Sequence, residues 1–381
     1  MFCGDGDTCT ECITDVTLGR RHACYTRYDG TLWCAGLNRE GQLGIPASEG
    51  PLATALQIHD ETGDPITVVA ASAGRAHSCA VLTDDRVMCW GRNTRGESGS
   101  GSVAATTPPS IVRKTDNTPL TGLVEVQAGD CFTCGRDAAG VVWCWGCNDA
   151  GELGRGTFTA PELAAPITSL GAVEDLSVGS YHTCVRLADR SVWCWGRNED
   201  SELGVGGTAP RAVPSRVFEN ATSVSPGQFV TCATHVDTTV SCWGDSFHDR
   251  LGNGLDDSFN TATPTPVVTS RGGPPFTGAV DVTASSAICA LRDDTSLWCW
   301  AKDLYGLTGT GGGASVPAPV QAENGDGFLV GVDRVEGHYA HGCAHLTSGR
   351  YVCWGRNAGG ELLDGTTAHH GRPTQPQLTC P

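Results

Sequence analysis

No stretch of the 381-residue chain approaches about 18 consecutive apolar residues, so no segment reads as a membrane-spanning helix and no membrane insertion is expected. Methionine is nearly missing, with 2 copies against 51 glycines, a balance that favours many short strands joined by turns over long helices. Positive charge is in deficit: 25 Lys and Arg face 42 Asp and Glu, for a net charge of -17. Nucleic-acid binders need clustered cations to displace counterions, so no nucleic-acid partner is expected; the balance reads first as a solvated acidic surface and second as one that suits a basic protein partner. The start, Met1-Phe2-Cys3-Gly4-Asp5, lacks the basic and apolar regions of a signal peptide, so an exported chain of this sequence reads as a mature or trimmed form. Catalytic motifs are missing too: no Gly-x-Ser-x-Gly, no His-Glu-x-x-His and no phosphate-cradling Gly-Lys-Ser or Gly-Lys-Thr. Gly309-Thr310-Gly311-Gly312-Gly313 has no following Lys and reads as a loop. No catalytic residue, metal or cofactor is therefore expected.

What the chain has in quantity is cysteine, with 20 copies, and their spacing gives the architecture. Seven pairs lie ten positions apart: Cys24 and Cys34, Cys79 and Cys89, Cys134 and Cys144, Cys184 and Cys194, Cys232 and Cys242, Cys289 and Cys299, Cys343 and Cys353. Their starts recur every 48 to 57 residues. The middle of each pair falls on a turn residue: Asp29, Asp84, Ala139, Asp189, Asp237, Asp294 or Ser348. A tight antiparallel hairpin with its apex there sets the two Cys face to face, about 4.5 to 5.5 Å apart at Cα, a span that a disulfide bridges. Strand-rich runs such as Val192-Trp193-Cys194-Trp195 surround the pairs, and Pro-containing linkers separate them. Repeats of this length with several strands each predict an all-β, seven-bladed propeller of four-stranded antiparallel blades, one cross-strand disulfide per blade. A Gly precedes the first Cys by five positions in five repeats, at Gly19, Gly74, Gly129, Gly179 and Gly227; repeat six has Ala284, and Gly337 in repeat seven, one position earlier, predicts an insertion.

Six cysteines fall outside the series. Cys131 and Cys147 flank the third pair symmetrically, so both pairs oppose each other in one ladder. The same four residues also read as Cys-x-x-Cys, nine residues, Cys-x-x-Cys, the spacing of a zinc ribbon. The inner pair belongs to a sevenfold series without ligands elsewhere, which favours two stacked disulfides. Cys3, Cys9, Cys12 and Cys380 remain. An open ring leaves a vulnerable edge, so the N- and C-terminal strands are expected to pair and close residues 13–380, after a Cys-rich tail over 1–12. Cys12 with Cys380 is then the expected clasp, leaving Cys3 with Cys9, although four Cys allow three connectivities.

The motif of Gly179-Ser180-Tyr181-His182-Thr183-Cys184, then Trp195-Gly196-Arg197-Asn198 and Glu202-Leu203-Gly204, resembles the regulator of chromosome condensation repeat. The resemblance runs over roughly residues 13–380. Its Cys-paired form is similar to the exported bacterial branch of that family and departs from the nuclear type. The resemblance implies a seven-bladed propeller, extracellular, periplasmic or on the cell surface, whose circular face of loops grips a protein. It implies no single function, since relatives include an exchange factor, a photoreceptor and a secreted inhibitor.

The expected role is thus an exported binding scaffold; an enzyme with a site near the central axis and a guanine nucleotide exchange factor are the alternatives. His22, His77, His182 and His341 sit two positions before the first Cys of four repeats and read as hydrogen-bonded structural groups within their blades. All ten Trp fall beside the second Cys and read as packing between blades. Asp29, Asp84, Asp85, Asp137, Asp189, Asp237, Asp293 and Asp294 mark the hairpin turns, as turn residues and as an acidic ring for a basic partner. The stretches 46–65, 100–122, 253–278 and 309–327 read as long inter-blade loops. Phe158, Phe218, Phe247, Phe259, Phe276 and Tyr305 lie in or near such connections as candidate interface anchors.

Overall fold

The computed structural model describes residues 13–159, 162–255, 260–311, 315–324 and 327–376. Every blade follows one plan. In blade one an innermost strand, Ile13–Leu18, pairs with a second, His22–Arg27, then a third, Leu32–Asn38, then an outer one, Ser48–Gln57. Six further four-stranded antiparallel sheets repeat this order over residues 68–111, 123–166, 173–218, 221–266, 279–321 and 332–374. The outer strands occupy much of what reads in the sequence as inter-blade loop. Ala104–Ile111, with Pro108 and Pro109, shows why: an exposed edge strand needs neither apolar alternation nor every N–H.

Each Cys of the sevenfold series faces its partner in the ladder between second and third strands. All seven pairs form disulfides, with Cα atoms 4.0 to 4.2 Å apart. Cys131 and Cys147 form an eighth, with Cα atoms 5.5 Å apart. Blade three therefore carries two stacked bridges in place of a zinc ribbon. The four terminal cysteines lie outside the described residues.

The core sits between blades. Trp90, Trp145, Trp195, Trp243, Trp300 and Trp354 are fully buried, each in a cluster with the preceding blade's disulfide. Burying one such side chain removes on the order of 200 Å² from water, about 5 kcal/mol at most. Each indole N–H also donates to a backbone carbonyl in the preceding blade's loop, at 2.8 to 3.2 Å. Histidines add a second link, between blades where the sequence reading set it within them. His22 Nε2 lies 2.9 Å from Ser78 Oγ, His77 Nε2 2.9 Å from Thr133 Oγ1, and His182 Nε2 2.7 Å from Thr231 Oγ1. The Ser78 hydroxyl donates to the Gln42 carbonyl and the Thr231 hydroxyl to that of Glu202, so both accept from the imidazole Nε2–H.

The glycines five positions before Cys are explained by proximity at the centre of the ring. A Cβ added at Gly19, Gly74, Gly129 or Gly179 would fall within 3 Å of a carbonyl oxygen of the next blade's turn. Register corrects the reading of the last two repeats. Thr17 faces Cys24 in blade one and Glu336 faces Cys343 in blade seven, both seven residues apart, so blade seven has no insertion and His338 takes the glycine position. Blade six is the irregular one: Thr283 faces Cys289, a turn shorter by one residue.

The expected pairing of the N- and C-terminal strands reaches into segments outside the described residues. Among the described residues no strand is exchanged between the termini; blade seven ends on its own outer strand, His370–Thr374. The blades meet instead through a packed cluster that includes Val16, Leu18 and Tyr25 with Tyr351, Leu362 and Leu363. Arg334 reaches Asp15 at 3.0 Å across this seam and is held by the Tyr351 hydroxyl of its own blade at 2.9 Å.

Candidate functional site at the loop face

The two ends of the ring differ in chemistry. One end carries the turns between second and third strands, and the expected acidic ring is there. Asp29, Asp84, Asp137, Asp189, Asp237 and Asp294 each accept the N–H two residues on, at 2.9 to 3.1 Å. Hydroxyls of Ser191, Thr239 and Ser296 hold Asp189, Asp237 and Asp294 below the ordinary carboxylate range. Asp85 is exposed and takes a positive φ of 70°, a turn conformation that Asp tolerates. These side chains are working turn formers, each with an oxygen committed to its own hairpin. Trp33, Trp193 and Trp298 are half-buried beside them, with indole N–H groups bonded to the turn hydroxyls.

The opposite end is formed by the turns between first and second strands and the loops after third strands. An Asn braces most of these loops. Asn38, Asn93, Asn148, Asn198 and Asn357 each accept the N–H five residues on, at 2.9 to 3.0 Å, and donate from Nδ2 to carbonyls further along. Beneath three of them an arginine grips a fully buried glutamate: Arg92 and Glu97 at 2.8 Å, Arg197 and Glu202 at 3.1 Å, Arg356 and Glu361 at 2.7 Å. Burial raises Glu202 to about 6 even so. In blade three Cys147 stands where Arg would be, and the Cys131–Cys147 bridge and the Glu152 carboxylate lie together.

Two clefts of about 290 Å³ each open on this face and share Arg21. The first is lined by Arg20, Arg39, Arg75 and Arg92. The second is lined by Arg250, Arg356, His248, Leu304, Tyr305 and Tyr339. Phe247 stacks on His248 with ring centroids 3.7 Å apart, and Tyr305 on His369 at 4.7 Å. Phe247 and Tyr305 stay largely exposed, at 55% and 46%. Thus one expected anchor, Tyr305, lines the second cleft, and another, Phe247, packs on His248 of its lining. Phe158 is exposed but lines neither cleft, Phe276 is buried in the core and Phe218 packs on Trp243. Phe259 lies outside the described residues.

Family models described as regulator of chromosome condensation (RCC1) repeat match residues 13–42, 68–97, 123–152 and 173–202, and, for a second model, 139–186 and 189–234. The chain carries RCC1 repeats over these segments. It is 30% identical over 162 residues to the probable E3 ubiquitin-protein ligase HERC6 of Homo sapiens, a match covering 42% of this chain and 15% of that protein. The chain thus spans only a small part of that relative. Among solved structures, human WBSCR16 aligns with a TM-score of 0.76 at 18% identity, covering 91% of this chain and 92% of that one. Yeast RCC1 (Prp20), solved bound to Kap60, aligns at 0.66 and 19%, covering 82% and 75%. At such identities the likeness is one of fold.

A further cavity is the axial channel, lined by the innermost strand of every blade and the turn after it, among them Thr17, Ser72, Gln127, Ser177, Ser225, Thr283 and Glu336. Several hydroxyls are spent on stitching neighbours, since Thr17, Ser72 and Ser225 accept the N–H of Ala73, Ala128 and Ala284 in the next blade. Glu336 faces the channel yet lies deep in the ring. That depth, with Asp15 and Asp281 nearby, pushes its carboxyl up to about 8. The sequence reading missed the arginine clefts, because Arg20 and Arg21, Arg250 and Arg356 come from three separate turns and loops. The one available signal was the Gly-Arg-Asn run after Trp.

Proposed function

We propose that the chain is an exported protein-binding scaffold that holds its partner against the loop face around the axial channel. The observation that carries this reading is the convergence of exposed Leu304 and Tyr305 with Arg21, Arg250 and Arg356 at one cleft, with exposed Phe247 packed on its lining residue His248. Aromatic residues and arginine dominate the energetic centres of protein interfaces. Braced loops cost little ordering on binding. Eight disulfides support an oxidising compartment, where such bonds form and persist. Yeast RCC1 (Prp20), a protein with this fold, has been solved bound to another protein, Kap60.

The test is affinity capture from the native extracellular medium, followed by titration of the recovered protein. Tyr305→Ala and Phe247→Ala should each weaken binding about tenfold or more, the usual scale for an interface anchor, while Phe158→Ala leaves it unchanged. Equal affinity for all three variants would remove the loop face from consideration. Turnover of a small molecule that depends on Glu336 would favour an enzyme.

A further inference from the structure

We propose that Arg21 is the anchor for a carboxylate, and that the partner docks an acidic segment, rich in Asp or Glu, where the two clefts meet. This rests on the loop-face reading above and assigns that face its chemistry. The chain as a whole is acidic, at -17. Around Arg21 the sign reverses. Arg20, Arg21, Arg39, Arg75 and Arg92 line the first cleft with Glu40 as the one acid among its lining residues. The second cleft has Arg21, Arg250 and Arg356 and no Asp or Glu in its lining.

Most of these cations are answered from within. Arg92 has Glu97, Arg356 has Glu361, Arg75 has Asp130 and Arg250 has Asp245. Arg20 donates to the Tyr339 hydroxyl at 3.4 Å and stacks on its ring, 4.4 Å from the centroid. Arg21 is exposed and makes no side-chain hydrogen bond or ion pair among the described residues. Partial desolvation and the charges of Arg356 and Arg20 act against its protonated form. A carboxylate seated there relieves that repulsion in the bound state and pairs with the planar fork through two parallel hydrogen bonds. A long polyanion such as nucleic acid is disfavoured by the negative field of the rest of the molecule, whereas a short acidic stretch flanked by apolar side chains also uses Phe247, Leu304 and Tyr305.

The experiment titrates the oxidised full chain with a fluorescent oligoglutamate peptide at low ionic strength. Saturable binding is expected, weakening as salt rises. Arg21→Ala should reduce affinity about tenfold, equivalent to about 1.4 kcal/mol. Arg21→Lys, which keeps the charge and loses the fork, should fall between. Arg350→Ala, on the opposite face, should bind as the parent does. Unchanged thermal midpoints confirm folding of each variant. No oligoglutamate binding, equal binding by Arg21→Ala, or a preference for oligolysine overturns the proposal. Should a captured natural partner depend on Tyr305 and Phe247 but not on Arg21, the docking face stands and the acidic-segment assignment falls.

Discussion

Serine in place of Ala23 should tighten the one joint of the ring that lacks the repeated inter-blade links. At the other six joints a Trp N–H holds the preceding blade's loop; at three of them a His also meets a hydroxyl, and at most of them a turn amide reaches the next turn, as Arg20 N does to Gly74 O at 3.0 Å. Between blades seven and one, Ala35 stands where the Trp would be, Ala23 where the hydroxyl would be, and Tyr339 N makes no turn-to-turn bond among the described residues. His341 is consequently buried with neither ring nitrogen partnered. An orphaned buried polar group costs about 1 to 3 kcal/mol. By analogy with Ser78, the hydroxyl that Ala23→Ser introduces accepts from His341 Nε2–H and donates to the carbonyl of Glu361, the counterpart of Gln42. Two hydrogen bonds of about 1 kcal/mol each, less the cost of burying a hydroxyl, leave a gain of about 1 to 2 kcal/mol. In a protein of this size that moves a melting temperature by only a degree or two. Hydrogen–deuterium exchange is the better assay, because the same gain slows opening about 5- to 30-fold. Slowing should appear in peptides over residues 13–27 and 332–346 and not over 173–187. Ser78→Ala should do the reverse between blades one and two. Unchanged exchange at the seam in Ala23→Ser, or no cost for Ser78→Ala, would refute the account of these links.

Ala301 has φ of 98° where other blades have Gly after Trp, so Ala301→Gly should stabilise the protein by about 1 kcal/mol, read as a higher denaturant midpoint at constant slope; a lower midpoint contradicts it. Burial lowers His22, His77 and His182 to about 3, so between pH 6.5 and 3 the unfolded chain binds more protons than the folded one. Stability should therefore fall as pH drops through that window, by up to about 1.4 kcal/mol per pH unit and histidine. A denaturant midpoint that holds constant from pH 6.5 to 4 would count against these buried imidazoles. Glu336 acts in the opposite sense, since the folded state keeps its proton up to about 8.

Much of the blade was legible because it is local. The Cys pairs ten apart around Asp turns give strand register, turn position and disulfide partner together, and blade three follows by symmetry. The outer strands were not legible, because an edge strand such as Ala104–Ile111 carries Thr and Pro in place of an apolar pattern. Histidine was read as a polar structural group with its partner in the wrong blade. The sequence did hold the clue, since His22, His77 and His182 are each followed, one repeat on, by Ser78, Thr133 and Thr231 just before the Cys.

Repeat number, hairpin register and the pairing of the sevenfold cysteine series were settled by sequence alone, because each rests on residues within one hairpin or on a count of hairpins. Only the ring decided which side chains from different blades become neighbours. Arg21 and Arg356 are 335 positions apart in sequence, and their charges act on each other because blade seven returns beside blade one. Composition described a uniformly acidic molecule; closure sorted its charges, leaving aspartates on the hairpin turns and arginines at the opposite mouth. That sorting depends on the direction in which each strand runs, which no local spacing encodes.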